Sequence, residues 1–127
     1  APFAVPAVEQ MHDIAGPAPG LTPPCEADVA RLLAFLEAAR GLDPVLIHCW
    51  MGVSRSTAPA YIAATLRDGP GSEAELAKML RWRAPFATPN PRLIALADKA
   101  LGRDGAMVAA IRRIKRGEEV PAAPFEL

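Results

Sequence analysis

Two cysteines in 127 residues are too few for a disulfide framework, so a small fold stapled by bridges is excluded. The pair fits a reducing compartment and a working thiol instead. No apolar run approaches the roughly 20 residues that a membrane helix needs. The opening residues Ala1-Pro2-Phe3-Ala4-Val5-Pro6 lack the basic start and long apolar core of a secretion signal. A cytoplasmic location is the expectation, with no membrane partner. The formal net charge is +0, which removes bulk attraction to nucleic acid, and no nucleic-acid partner is expected. Internal repeats are absent too.

What is present describes one globular domain over 1–127, 51% apolar and 22% charged, as in ordinary folded proteins. Fourteen prolines stand at loop and helix-start positions rather than in one tract. The bias toward alanine, arginine and proline suits a GC-rich bacterial genome. Charge is uneven: residues 1–60 carry three basic and six acidic side chains, residues 61–127 eleven and eight. The surplus gathers at Arg112, Arg113, Lys115 and Arg116. A solvated helix end complementing its dipole explains it most simply; a surface for an acidic partner is the alternative.

Apolar spacing predicts five helices. The first opens at Thr22 or Pro24 and runs to about Arg40, with Val29, Leu32, Leu33 and Leu36 on one face and Gly41 beyond its end. A second covers about 55–67, with Pro59 near its first turn and Ile62 and Leu66 inward. Ser72-x-x-Glu75 reads as a capping box for a third helix to about Arg83, with Leu76, Met79 and Leu80 inward. Asn90 caps and Pro91 opens a fourth to Leu101, stopped by Gly102. The fifth runs from Asp104 to about Arg116, with Met107, Val108, Ile111 and Ile114 on one face. The tail 117–127 is expected to be extended, with Phe125 docked. Two strands are expected: 7–12, and 45–48 built on Val45-Leu46-Ile47. A strand as apolar as 45–47 needs strand neighbours, so part of the N-terminus is expected to be missing.

The chemistry concentrates in His48-Cys49-Trp50-Met51-Gly52-Val53-Ser54-Arg55-Ser56. Strand, tight loop and helix would set Cys49 beneath loop N–H groups and a helix N-terminus converging on one point, a geometry that binds a phosphate-sized dianion. A thiol facing a helix N-terminus has a depressed pKa, roughly 3.5–7.5 against about 8.5 when free. Arg55 supplies a planar fork for two phosphoryl oxygens. The loop Trp50, Met51, Gly52, Val53 and Ser54 would line the phosphate site, Gly52 letting it curl. Trp50 either walls the pocket or packs the loop. Ser56 Oγ can hydrogen-bond the cysteine sulfur, and His48 braces the loop. Asp13, at the head of a Gly/Pro-rich loop with Gly16 and Gly20 as hinges, is the choice for general acid. Glu26 and Asp28 are weaker candidates, since acids are favoured in a helix's first turn for dipole reasons alone. Cys25 is either a redox partner for Cys49 or a small residue near a helix cap.

This constellation resembles the signature loop of cysteine-dependent protein tyrosine and dual-specificity phosphatases, pattern H-C-x-x-G-x-S-R-S, and is similar to the bacterial tyrosine-phosphatase-like group. Arg83 followed by Thr88-Pro89-Asn90-Pro91 looks like the family's late Arg…Pro-Asn segment behind the loop, which makes Asn90 a supporting residue. Asp13 stands 36 residues before Cys49, within the family's spacing for its acid. The resemblance implies an α/β fold with a parallel-type central sheet flanked by helices, the N-terminal strands missing or reduced. It implies hydrolysis of phosphate monoesters on proteins, phosphotyrosine foremost, through a cysteinyl-phosphate and with no metal or cofactor. The partner is then a phosphorylated protein or peptide. Absence of Lys or Arg in the loop besides Arg55 disfavours polyphosphorylated inositides. An inactive phosphate-binding pseudophosphatase that recruits phosphorylated partners is the alternative, and sulfur transfer a third reading.

Overall fold

The computed structural model describes residues 24–38, 57–121 and 123–127. They form five helices, α1 (Glu26–Ala38), α2 (Thr57–Asp68), α3 (Glu73–Arg83), α4 (Pro91–Leu101) and α5 (Ala106–Ile114). Among the described residues there is no strand. This corrects the α/β expectation with its parallel-type central sheet: the layers that pack are helix on helix. The physical reason lies in the helices' own apolar stripes. Tyr61 and Ile62 of α2, Leu76 and Leu80 of α3, Leu93 and Ile94 of α4, and Met107 of α5 are all nearly or wholly buried in one cluster. α5 packs on α3 and α4, α2 on α3 and α4, and α1 on α4 and α2. These stripes are satisfied by one another and need no sheet face. Both expected strands, 7–12 and 45–48, lie outside the described residues. A three-residue apolar run such as 45–47 does not by periodicity distinguish a strand from a buried helix segment.

Helix ends follow local chemistry. Cys25 closes the start of α1: its carbonyl accepts from the Asp28 and Val29 N–H groups, and its own N–H donates to Asp28 Oδ2 at 2.8 Å. Asn90 caps α4 as expected, Oδ1 accepting from the N–H groups of Arg92 (3.0 Å) and Leu93 (3.1 Å), with Pro91 following. Gly102 ends α4 in the left-handed conformation at φ 66°, which costs a residue without Cβ little. The capping box at Ser72 does not form. Ser72 Oγ donates to the Gly69 carbonyl at 2.6 Å, while the Gly71 N–H goes to Glu73 Oε2 at 2.8 Å. Glu75 instead faces Lys78 at the surface. Met79, expected inward, is exposed, while Leu76 and Leu80 are buried. The last helix is shorter than the expected 104–116 because Asp104 and Lys115 take left-handed φ of 54° and 58°.

The 117–127 segment is tied to the bundle. Glu118 N–H donates to the Pro85 carbonyl at 2.8 Å and Gly117 N–H to Thr88 Oγ1 at 3.0 Å. Phe125 meets Phe86 edge-on, centroids 6.1 Å apart. Arg67 and Arg83 donate to the carbonyl oxygens of Leu127 and Glu126. Among the described residues no helix is long and apolar enough to cross a membrane.

Candidate functional site

The residues expected to carry chemistry, Asp13, His48, Cys49, Trp50, Met51, Gly52, Val53, Ser54, Arg55 and Ser56, lie outside the described residues. What the described residues contribute is the helix that follows the motif and the frame that holds it.

α2 is a 12-residue helix beginning at Thr57, the residue after Ser56. Pro59 falls in its first turn, where a missing N–H removes no intrahelical bond. Thr57, Ala58, Tyr61, Ile62 and Thr65 are wholly buried, so α2 runs through the bundle and its N-terminus is anchored from the first residue. From its middle to its C-terminus it is held by a buried polar cluster. Tyr61 Oη donates to the Glu73 carbonyl at 2.8 Å. Arg103, from the segment joining α4 and α5, donates through Nη2 to the Thr65 carbonyl at 2.8 Å, and its Nη1 lies 3.4 Å from Glu73 Oε1. Burial first, and the Glu73 charge second, push the Tyr61 phenol above its ordinary range. Arg103 opposes this shift and Asp98 adds to it. Arg103 thus places a cation at the α2 C-terminus, the favourable end for positive charge, on a Thr65 carbonyl that also accepts from the Gly69 N–H. Among the described residues, every buried side-chain nitrogen and oxygen has a hydrogen-bond partner.

Of the expected site residues, Asn90 is the one described. It is 1% exposed, and its Oδ1 is committed to the α4 cap. The neighbouring Arg92 donates through Nε to the Pro24 carbonyl. The Thr88-Pro89-Asn90-Pro91 run is therefore a junction: Thr88 receives the 117–127 segment, Asn90 starts α4, and Arg92 ties α4 to the residue before α1's cap.

Both weaker acid candidates have structural employment. Asp28 is buried, accepting from Cys25 N–H and pairing with Arg31 Nη2 at 2.5 Å. Glu26 lies on the surface, 3.4 Å from Lys99. Cys25 is an exposed thiol at the α1 cap; its suggested redox partner Cys49 lies outside the described residues.

Sequence reading missed Asp98. It is buried near the end of α4, and its carboxylate accepts from three N–H groups at the start of α5: Gly105 (2.7 Å), Met107 (2.8 Å) and Val108 (3.2 Å). α5 is thus capped from another helix, and no local pattern around Gly105 announces it. Among the described residues, no three His, Cys, Asp or Glu side chains gather as a metal site. No family model, curated protein or solved structure matches this chain.

Proposed function

We propose that the protein hydrolyses phosphate monoesters on proteins, phosphotyrosine foremost, by metal-independent thiol chemistry. The observation that carries the reading is the residue set Cys49, Gly52, Ser54, Arg55 and Ser56 ending directly at the N-terminus of the buried helix α2, which starts at Thr57. A helix N-terminus offers N–H groups and partial positive charge to an anion. Arg55 adds a bidentate fork whose contribution grows as charge spreads over the phosphoryl oxygens. The proposal requires no particular sheet; it rests on these residue types in this order ahead of a helix.

In this reading the Cys49 thiolate attacks phosphorus, and the S–P bond forms as the ester P–O bond breaks. Asp13 gives its proton to the departing oxygen. Water then attacks the cysteinyl-phosphate while Asp13 takes up its proton, and the S–P bond breaks to return the thiolate. Ser56 Oγ stabilises that leaving sulfur by a hydrogen bond, His48 braces the loop, and the Trp50–Ser54 backbone cradles the phosphoryl oxygens. A reducing, cytoplasmic setting suits a thiolate nucleophile.

The test is hydrolysis of p-nitrophenyl phosphate with excess EDTA at about pH 6, where a depressed thiol is already ionised. Turnover is expected in the wild type and absent in Cys49→Ser, with Asp13→Asn slowed about 100-fold or more. A folded wild type that binds vanadate or phosphate without turning over would replace this reading with that of a phosphate-binding module for phosphorylated partners.

A further inference from the structure

The C-terminal ends of α3 and α5 meet at one place. Arg81 Nε donates to the Ile114 carbonyl at 3.2 Å and Nη2 to the Lys115 carbonyl at 2.7 Å. Its Nη1 takes the Pro85 carbonyl at 2.8 Å. Burial lowers the Arg81 pKa, Glu118 partly opposing this. Arg81 is thus used up in joining the two helix ends.

Next to it stands Trp82, 80% exposed, with Met79 at 38% one turn earlier on the same outer face. The last turn of α5 carries Arg112 and Arg113, and Lys115 and Arg116 follow its end, all four exposed. Among the described residues none of these four is within ion-pair distance of a carboxylate. The acids nearest in sequence are Glu118 and Glu119. On α3, Glu75 is already matched to Lys78.

A helix dipole explains cations in a last turn but falls off beyond it, so it accounts for Arg112 and Arg113 and not for Arg116. It says nothing about an exposed tryptophan. Trp, Met and Arg are the side chains that concentrate in the centres of protein interfaces. Single-strand nucleic acid sites string several aromatics along a basic groove, and here there is one. A membrane-surface helix needs a continuous apolar face, and the outer face of α3 carries Glu75 and Lys78 beside Met79.

We propose that this shared end of α3 and α5 docks an acidic segment of a partner protein. The segment's carboxylates sit on Arg112, Arg113, Lys115 and Arg116, and an apolar side chain packs on Trp82 and Met79. The proposal is independent of phosphate hydrolysis, so a peptide without phosphate is the probe. Anisotropy of a labelled Glu-rich peptide carrying one Leu, at about 0.15 M salt, is expected to show saturable binding. Trp82→Ala, and separately Arg112→Ala with Arg113→Ala, weaken it about tenfold or more, with far-UV circular dichroism unchanged; Cys49→Ser leaves it intact. Failure to saturate, or equal binding by the variants, overturns the proposal. Tighter binding to oligo-dT or to phosphatidylserine vesicles also overturns it, assigning the patch to nucleic acid or to a lipid surface.

Discussion

At the scale of single residues, buried polar groups do work that no local pattern advertises. Asp98 accepts three N–H groups of the α5 start, groups that would otherwise lie unpaired at a helix end. Asp98→Ala is expected to cost about 1–3 kcal/mol, read as a fall in the urea midpoint. Asp98→Asn retains an acceptor oxygen and is expected to recover part of that loss. Tyr61 offers a pH test. Its phenol is held neutral, raised above the ordinary 10.0 by burial and then by the Glu73 charge. A group whose folded pKa is raised contributes fully below its unfolded pKa and loses that contribution as pH climbs. The Tyr61 contribution to stability should therefore be level below about pH 10 and decline above it, the unfolded phenol ionising first. Tyr61→Phe is expected to cost about 1 kcal/mol at neutral pH through the lost bond to the Glu73 carbonyl. It should flatten the alkaline decline seen in thermal melts at pH 9 to 11, taken as about one unit either side of that pKa.

At the scale of elements, helix positions were legible where periodicity and punctuation agree. Asn90, Pro91 and Gly102 bound α4 where they were expected to, because an Asn cap, a Pro at the first turn and a left-handed Gly each act within a few residues. Ser72 and Glu75 show the limit. The Gly69-Pro70-Gly71 turn presents closer partners, the Gly69 carbonyl for Ser72 and the Gly71 N–H for Glu73, and the box loses to them. Gly117 is a further element-scale feature. A Cβ there would fall on the Phe86 carbonyl and 2.6 Å from the Ala87 oxygen, both backbone and so unable to yield. Gly117→Ala is expected to detach 117–127 from Pro85, Thr88 and Phe86. The measurement is limited trypsin digestion, with cleavage after Arg116 accelerated several-fold while the helices stay protected.

At the scale of the whole molecule, the core is the meeting of stripes from α2, α3, α4 and α5, with α1 alongside. Leu80 is 0% exposed and the adjacent Met79 is 38% exposed, which gives a sharp contrast. Leu80→Ala is expected to cost about 2–5 kcal/mol, and Met79→Ala less than about 0.5 kcal/mol, both by chemical denaturation. The i, i+3, i+4 pattern admits Met79 to the inward stripe. Only the packing of α5 and α2 against α3 decides which edge of that stripe is covered.

Within the described residues, the five helices, most of their inward positions and the α4 caps follow from the sequence alone, since helix periodicity, proline and capping residues act over a turn or two. The candidate chemistry was equally a matter of sequence, because a nucleophile, a bidentate cation and a hydroxyl in fixed order are local. Tertiary structure decided the remainder. The described layers are helix on helix, α5 is capped by Asp98, Arg103 closes α2, and Arg81 joins two helix ends. Each depends on groups brought together by packing, across separations that no short-range pattern encodes.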